Sequence, residues 1–552
     1  MSTALPASTS TTVVGDPRAA ASGSRAPGAG GAWAPLRERL FRSLWIANLA
    51  SQVGTWVHEI GAAWLMASLS PSPLWIALVQ AAGSFPLFLL SLPAGALADL
   101  FDRRVLLLWA QAWMLLAAVV LAATTFAGVT GPLLLLLGTF ALGLGTAIAA
   151  PAWASLTPEL VSRARLPAAI ALQSLAVNLA RSVGPALGGF LVAAWSPAAA
   201  FGLNALSFLG VLWVLARWRR PRPAETMPRE SFGGALRAGL RYALHAPPLR
   251  IVLVRAGAFI VPASALWALL PSLARYELAI DAATYGVLLG AFGIGAVLGA
   301  LLLPRWRKRF SAHRLVQLAG FVYAAALVGL AELRSFFPLA LAMGAAGGAW
   351  LSTLSTLNVA AQTSVHDWVR ARALSLYGLV FFGALALGSS GWGALAELLG
   401  LAWSFRVAAL LALFGVALSL RAKLAPVPPS TLAPSRHWPM PTLDFEPHAH
   451  DGPVEITLEY RVPLDRQETF LALLDERRSL RLREGAFSWR MLRDLEDDEL
   501  FVERFEVPSW AEHLRQHART TLDDGELQER IEALLEGQKP RVRHRLSVRQ
   551  RT

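Results

Sequence analysis

Two ionisable side chains lie deep inside long apolar segments of the sequence. Glu59 lies about fifteen residues into an apolar stretch that begins at Leu44, and Arg181 lies about fifteen residues into one that begins near residue 167. Charges in apolar surroundings are costly, so such groups usually face a cavity or a partner. A carboxyl group there can take up and release a proton, and a guanidinium can orient it or bind an anionic ligand.

A polar face extends from Glu59 along the same segment. Asn48, Gln52 and Glu59 recur at spacings of four and seven residues, which places them on one face of a helix. The favoured interpretation is a face that lines a polar path for protons or substrate. The alternative is that Glu59 reaches the outer interface while Asn48 and Gln52 bind a neighbouring helix. His58 is turned about 100° away from Glu59 and is predicted to be interfacial.

Long apolar helices must position these groups. Hydrophobic residues make up 55% of the 552 residues and charged residues 16%, against about 25% charged in ordinary soluble domains. A membrane-crossing helix needs about 20 apolar residues. The sequence therefore predicts an all-α polytopic membrane protein with twelve transmembrane helices. The predicted spans are 44–67, 75–98, 105–127, 133–155, 167–194, 198–217, 251–273, 284–303, 313–331, 336–358, 372–396 and 402–420.

The cations between these spans predict the orientation. The flanks and loops on one side hold twenty-four Lys and Arg residues, and the opposite loops hold two, Arg275 and Arg334. The positive-inside rule places both termini in the cytoplasm, as an even number of spans requires. The expected location is a bacterial inner membrane. The net charge of +13 is explained by topology, so no nucleic-acid partner is expected.

Several chemistries are excluded or not expected. The chain has no Cys, which excludes disulfides and thiolate catalysis. No Gly-x-x-x-x-Gly-Lys-Ser/Thr loop occurs, so ATP hydrolysis is not expected. No resident metal, cofactor or catalytic residue is predicted. The expected partners are the lipid bilayer, protons and a small-molecule substrate.

The spans divide into two halves. A basic central loop at 218–250 separates an N-terminal six-helix half, residues 36–217, from a C-terminal six-helix half, residues 251–423. Two such halves are common in secondary transporters. Residues 1–35 lack an apolar core and are predicted to be a disordered cytoplasmic leader.

The loop after the second span contains Gly95, Asp99, Arg103 and Arg104. The stretch 95–104 resembles the loop 2–3 signature of the major facilitator superfamily, with Asp102 where that family usually has Gly. The resemblance implies two six-helix halves and a conformational latch formed by the acid and the arginine pair. The alternative is a purely topological arginine pair beside a helix-capping acid.

The fifth span carries a second motif, which consists of Asn178, Arg181, Gly184, Pro185, Gly188 and Gly189. Its Gly-Pro-x-x-Gly-Gly end resembles the antiporter signature of exporters in the same superfamily. The overall resemblance, over residues 36–423, is closest to the transmembrane secretion effector subgroup, which includes enterobactin-exporter-like and macrolide-efflux-like proteins. The glycines and proline could form a bend that opens and closes, or simply pack helices tightly.

The C-terminal region changes character. Residues 424–451 form a Pro-rich linker, and residues 452–549 show the order βαββαβ, which predicts a ferredoxin-like α+β domain. The segment 501–517 resembles antibiotic-biosynthesis-monooxygenase-type domains, which implies a possible homodimer through this domain. His513 and His517 could bind a metal, but an isolated pair is more often surface polarity.

Three function classes remain. The favoured hypothesis is a secondary transporter that exports a small organic molecule, such as a drug, siderophore or secondary metabolite, by alternating access coupled to protons. The alternatives are a membrane-anchored monooxygenase-like enzyme and a nutrient importer of the same fold. The sequence does not identify the substrate.

The topology leads to a direct test. Because the loop cations favour one side so strongly, reporter fusions after Arg222 and after Pro426 are expected to report a cytoplasmic location. Activity of an alkaline phosphatase reporter at either position, which requires export, would contradict the whole assignment of spans.

Overall fold

The computed structural model describes residues 33–547 except 92, 95–100, 219–241, 243–244, 367–368, 422, 425–434, 436–437, 439–442, 444, 446, 536 and 538. Gly95 and Asp99 of the first motif therefore lie outside the described residues, as do most of the central loop and linker.

The N-terminal half consists of six long helices. They are α1 Arg39–Leu69, α2 Pro73–Leu90, α3 Arg103–Phe126, α4 Pro132–Leu160, α5 Leu166–Ala194 and α6 Pro197–Arg217. Proline lies in the first turn of four of them (α2, α4, α5 and α6), where its missing N–H group costs nothing. Asp102 caps α3 by accepting hydrogen bonds from the backbone N–H groups of Arg104 and Val105.

The C-terminal half has the same organisation. Its helices are α7 Pro247–Ser272, α8 Ala282–Arg309, α9 Ala312–Glu332, α10 Phe336–Thr363, α11 Arg370–Leu399 and α12 Leu401–Arg421. A π-helical turn, Leu273–Glu277, continues α7. Asp281 and Ser311 cap α8 and α9 in the same way as Asp102 caps α3.

Eleven of these twelve helices, from α2 to α12, are long and apolar enough to cross a membrane. The exception is α1, which carries the polar face predicted from the sequence and has 31 residues. The prediction of many apolar helices is confirmed, while the number twelve rests on α1 and stays a prediction.

Close helix packing joins the two halves. Helix α2 packs along α11, and α5 packs along α8. On α5, Gly188 lies against Val57 of α1, and a Cβ atom at Gly189 would collide with the carbonyl oxygen of Ala282. Small residues at such positions let helix backbones approach each other. The fifth-span motif therefore packs α5 against both halves. Helix α5 continues through Pro185 as one helix, and a bend there that opens and closes stays a prediction.

The C-terminal region forms a small antiparallel sheet with helices. Its elements are β1 Val454–Arg461, α13 Gln467–Glu484, β2 Ser488–Arg493, β3 Leu500–Val507, α14 Trp510–Arg519, α15 Leu522–Glu532 and β4 Arg541–Leu546. The strand order is β2-β3-β1-β4, and every neighbouring pair is antiparallel. Tyr460, Phe470, Phe505 and Ile531 are among the buried residues of its separate core.

A buried carboxylate lies at the centre of that core. Glu503 on β3 is fully buried and accepts hydrogen bonds from Tyr460 at 2.7 Å, Arg481 at 3.0 Å and the indole of Trp489 at 3.1 Å, while Arg477 lies 3.5 Å away. Burial alone would raise the pKa of Glu503, but the two arginines and the hydrogen bonds outweigh it and hold the pKa at about 2. The carboxylate is therefore ionised and fully paired at neutral pH.

Replacing this carboxylate should destabilise the C-terminal region severely. Glu503→Gln would leave two buried arginines without their counter-charge, and we expect a loss of about 3–5 kcal/mol in the free energy of unfolding of a 452–552 fragment, measured by urea denaturation. Glu506→Gln, on the same strand but with a half-buried carboxylate 3.5 Å from Arg504, is the matched control and should cost under about 1 kcal/mol.

The same group predicts a pH dependence. Folding lowers the pKa of Glu503 from 4.5 to about 2. The contribution of this carboxylate to the free energy of unfolding is therefore fully present above pH 4.5 and is lost as the pH falls towards 2. The wild-type fragment should therefore lose stability over that range more steeply than Glu503→Gln. Equal slopes for the two proteins would contradict this account.

Candidate functional site

A cavity of about 260 Å³ lies between the two halves. Its walls come from α1 to α6 in the N-terminal half and from α7, α8, α10 and α11 in the C-terminal half. Its volume is close to the lower end of small-molecule binding sites, roughly 300–1,000 Å³. The cavity therefore has the position and nearly the size of a transport site.

Glu59 and Arg181 both line this cavity. The side chain of Glu59 is exposed to the cavity space even though the residue lies deep inside the protein. The two groups interact electrostatically, but they form no ion pair within 4 Å. The structure thus brings together two residues 122 positions apart in the sequence, because α1 and α5 pack side by side.

Trp56 of α1 packs against Arg181 of α5. The guanidinium of Arg181 lies over its indole, 5.6 Å from the ring centroid, and Gly184 leaves room for the Trp56 side chain against α5. A cation over an aromatic face is stabilised by the ring quadrupole. Arg181 is therefore held next to α1 without neutralising Glu59 by direct contact.

Asn48 and Gln52 do not line the cavity. They lie on α1 about three and two turns before Glu59 and are half-buried. The predicted polar path therefore coincides with the cavity at Glu59, and the earlier part of the polar face lies outside it. Asn178 is also outside the cavity, and its amide donates to the carbonyl oxygen of Ser174 at 2.8 Å.

His58 was predicted to be interfacial, and this prediction is wrong. Only 3% of its surface is exposed, and its ring packs on Phe201 of α6 with 4.6 Å between the ring centroids. His58 also lines the cavity. Helical geometry correctly placed His58 on a different face of α1 from Glu59. It does not show which neighbour covers that face, and here the neighbour is α6.

Aromatic side chains form the cavity wall on the C-terminal half. Trp267 and Trp350 contact each other at 5.8 Å between ring centroids, and Phe381 lies 6.1 Å from Trp350. Neither tryptophan was predicted as a site residue, because tryptophan is common at membrane interfaces. Their depth within spans seven and ten was the available signal. Trp56 also lines the cavity, whereas Trp195 and Trp403 are largely exposed, as expected of tryptophans at a membrane interface.

The end of the bundle that holds the α1–α2 loop is closed by contacts between the halves. Tyr276, in the π-helical turn after α7, donates a hydrogen bond to the carbonyl oxygens of Ala67 and Ser70 in α1 and its cap. The guanidinium of Arg275 lies 5.3 Å from the ring of Trp64, which stacks on Tyr285 at 5.8 Å.

At the opposite end of the bundle, the arginine pair of the loop after the second span bonds within one half. Arg103 pairs with Glu159 of α4 at 2.6 Å, and Arg104 donates to the carbonyl oxygens of Leu215 and Ala216 at the end of α6, both at 2.8 Å. These contacts tie α3 to α4 and α6. Asp102 replaces the expected glycine and acts as the helix cap, which explains how this turn differs.

In the C-terminal region, His513 and His517 lie together in a partly buried cluster. Their Nε2 atoms are 3.3 Å apart, and His544 contacts the His513 ring at 4.8 Å between centroids. Burial and the two neighbouring histidines lower the pKa of His513 to about 3. His513 is therefore neutral at pH 7 and belongs to the packed interior, rather than to the surface as predicted.

Comparisons with known proteins agree with this architecture. The family model described as transmembrane secretion effector matches residues 30–552. The chain is 23% identical over 361 residues to the staphyloferrin A transporter of Staphylococcus aureus, covering 64% of this chain and 89% of that protein. It is 29% identical over 239 residues to the enterobactin exporter EntS of Salmonella choleraesuis, covering 42% of this chain and 56% of that protein.

Solved structures show the same fold. An inward-facing bacterial homologue of the lysosomal transporter Spinster superposes with a TM-score of 0.57 at 15% identity, over 70% of this chain and 97% of that one. An inward-facing bacterial homologue of the iron transporter ferroportin superposes with a TM-score of 0.53 at 17% identity, over 69% of this chain and 98% of that one. With the helical halves, the cavity between them and the match over nearly the whole sequence, the chain belongs to the transmembrane secretion effector family of major facilitator transporters.

Proposed function

We propose that this protein is a proton-coupled secondary transporter that exports a small organic molecule by alternating access, and that it is not an enzyme. The observation that carries the proposal is the placement of Glu59 and Arg181 in one cavity between the two halves, where they interact electrostatically without direct contact. The named relatives, a staphyloferrin A transporter and an enterobactin exporter, favour a siderophore or a comparable secondary metabolite as the substrate class.

The proposal includes α1 as the twelfth span. Its 31 residues correspond to about 46 Å of helix, which exceeds the roughly 30 Å of hydrocarbon. Its polar side chains can cross the membrane because α1 packs inside the bundle against α5 and α6. Twelve spans and the loop cations together support cytoplasmic termini and a location in the bacterial inner membrane.

The described contacts support a state that is open towards the cytoplasm. The α1–α2 end, which is periplasmic in this orientation, is closed by Tyr276 and Arg275. At the other end, Arg103 and Arg104 bond within the N-terminal half among the described residues. Alternating access then requires breaking the periplasmic contacts while α2 with α11 and α5 with α8 act as the pivots.

The charges in the cavity suggest how proton and substrate exchange. Arg181 favours the ionised form of Glu59 by its positive charge, and an ionised carboxylate accepts hydrogen bonds from substrate N–H or O–H groups. Protonation of Glu59 removes the negative charge and turns one oxygen into an O–H donor, which weakens these hydrogen bonds and favours release of the substrate. Because proton and substrate compete for one group, inward proton movement drives outward substrate movement.

We further propose that residues 452–549 form a ferredoxin-like cytoplasmic domain related to the monooxygenase-type domains, and that two copies associate through it. The strand order β2-β3-β1-β4 with helices after β1 and β3 supports this topology. In this proposal the domain serves regulation or assembly rather than catalysis.

Energy coupling is tested by Glu59→Gln. In everted vesicles screened for a transported compound, the variant should lose accumulation driven by a proton gradient yet keep downhill exchange, because the amide cannot carry a proton. Glu332→Gln, which alters a surface ion pair with Arg406 at 2.7 Å, is the matched control and should pump normally. Normal pumping by Glu59→Gln would place the coupling site elsewhere.

The arginine pair should affect turnover rather than affinity. Replacing both Arg103 and Arg104 with Ala removes their bonds to α4 and α6, far from the cavity, so we expect slower transport with substrate affinity changed less than about threefold. Replacing the exposed pair Arg305 and Arg309, at the C-terminal end of α8 in the other half, is the control for lost charge. A large loss of substrate binding in an Arg103/Arg104 double variant that is expressed normally would contradict this role.

A further inference from the structure

Arg255 is a buried cation that no acidic side chain compensates among the described residues. It lies on α7 with 4% of its surface exposed. Its guanidinium donates to Nδ1 of His313 on α9 at 2.7 Å and to the carbonyl oxygen of Ser419 on α12 at 2.8 Å. A buried charge without a counter-ion is costly, so an anion from outside these three helices would stabilise this position.

The helices around Arg255 carry no acid at this end. Residues 247–272, 304–331 and 401–424 contain no Asp or Glu. In the described part of the C-terminal half, the ion pairs of Glu277 and Glu332 with arginines lie at the other end of the bundle. The positive-inside rule explains exposed cations in loops, but it does not explain a cation buried within a span.

His313 connects Arg255 to the protein surface. A guanidinium can only donate hydrogen bonds, so Nδ1 of His313 accepts the bond and the ring proton lies on Nε2. His313 is half-exposed, and its Nε2 is not among the buried polar atoms that lack a partner, whereas Nε and Nη1 of Arg255 are. The Nε2–H group is therefore a donor that a molecule at the surface can reach.

Two exposed cations lie beside that donor. Arg314 follows His313 in the first turn of α9, and Lys423 lies just beyond the end of α12. Both act on His313 electrostatically, as Arg255 does. Ser311 caps the same end of α9, which carries the partial positive charge of a helix N-terminus. Three formal positive charges and one N–H donor thus converge on one place, an arrangement that fits a phosphate group.

An exposed apolar surface begins next to these cations. Leu318 and Phe321 follow Arg314 at spacings of four and seven residues, so the three share one face of α9. Leu318 is 49% exposed and Phe321 52%, and Leu418 and Leu420 of α12 are exposed as well. A phospholipid can place its headgroup at the cations and its acyl chains along the apolar residues, whereas a free anion would leave that surface uncovered.

We propose that His313, Arg314 and Lys423 bind the phosphate of an anionic phospholipid, and that Arg255 is a positioning residue that holds the His313 donor towards it. The site lies apart from the cavity between the halves and does not depend on the transported substrate. In the proposed orientation it faces the cytoplasmic leaflet. Because the site joins α7, α9 and α12, a bound lipid stabilises the packing of these helices.

Lipid binding to the purified full-length protein in dodecyl maltoside tests this proposal. Dioleoyl-phosphatidylglycerol and dioleoyl-phosphatidylcholine have the same acyl chains, but only the first carries a net negative charge. Native mass spectrometry compares their apparent affinities. We expect the wild type to prefer phosphatidylglycerol by about tenfold or more, since each cation near the headgroup contributes about fivefold. Phosphatidylglycerol should also raise the melting temperature more than phosphatidylcholine does.

The exposed cations have a matched control. Replacing both Arg314 and Lys423 with Ala should remove most of the preference for phosphatidylglycerol. Replacing both Arg39 and Arg42 with Ala removes two exposed cations from α1 and lowers the net charge equally, yet it should leave the preference unchanged. All four side chains are exposed, so neither double variant should prevent folding.

Two further pairs of variants test the inner residues. His313→Leu should weaken phosphatidylglycerol binding by about two- to tenfold, the range of one hydrogen bond, whereas His313→Gln, which can still accept and donate, should restore it at least partly. Arg255→Met should lower the preference as well, and Arg255→Lys, which keeps the charge and a donor, should recover part of it.

Each contrary result overturns a defined part of the proposal. An unchanged preference after loss of Arg314 and Lys423, or an equal loss in the Arg39/Arg42 control, overturns the site. No effect of His313→Leu and Arg255→Met overturns the roles of the two inner residues. If inorganic phosphate alone raises the melting temperature as much as phosphatidylglycerol and displaces it, the ligand is a free phosphate and the lipid assignment is wrong.

Discussion

The placement of one carboxylate and one guanidinium inside an apolar helical bundle constrains the rest of the structure. Each charge would be too costly to bury alone, and a direct ion pair would fix both in one state. Glu59 and Arg181 instead face a common cavity at a distance that permits interaction without contact. Helix α1, which is not among the helices apolar enough to be assigned as membrane spans, packs against α5 and α6 inside the bundle.

The same constraint explains the tight packing around the cavity. Gly184 and Gly188 bring α5 against α1, which places Arg181 beside Trp56 and within reach of Glu59 electrostatically. Gly189 brings α5 against α8 of the other half. A larger side chain at any of these positions would separate the two charges or the two halves. The glycine motif thus serves the site by setting the distances between these helices, and contacts between the halves close the end of the bundle that holds the α1–α2 loop.

Much of this architecture could be predicted from the sequence. Hydropathy and loop charge predicted the helices, and the period of α1 placed Glu59 on a polar face. Glu59 and Arg181 could be identified because both lie deep inside their apolar segments. That they lie near each other depends on which helices pack together, and the depth of a residue in its own segment does not show this. The small sheet with helices in the C-terminal region agrees with the predicted succession of strands and helices, and Ser509 caps α14 there.

The failures have physical reasons. His58 was assigned to the interface because a helical projection gives a direction but not the neighbour in that direction, and α6 covers it. Trp267 and Trp350 were passed over because tryptophan is common at membrane interfaces, whereas here aromatic rings line a cavity. Arg103 and Arg104 were identified, but the sequence could not show that they bond within their own half.

The central claim is that proton and substrate compete for Glu59. The most direct measurement is proton release when a transported compound binds to the purified protein in weak buffer, followed with a pH indicator at several pH values. The account predicts that binding releases protons from the wild type, up to about one per substrate where Glu59 is protonated beforehand, and none from Glu59→Gln. Substrate binding with no proton release at any pH, or equal release from the variant, would contradict it.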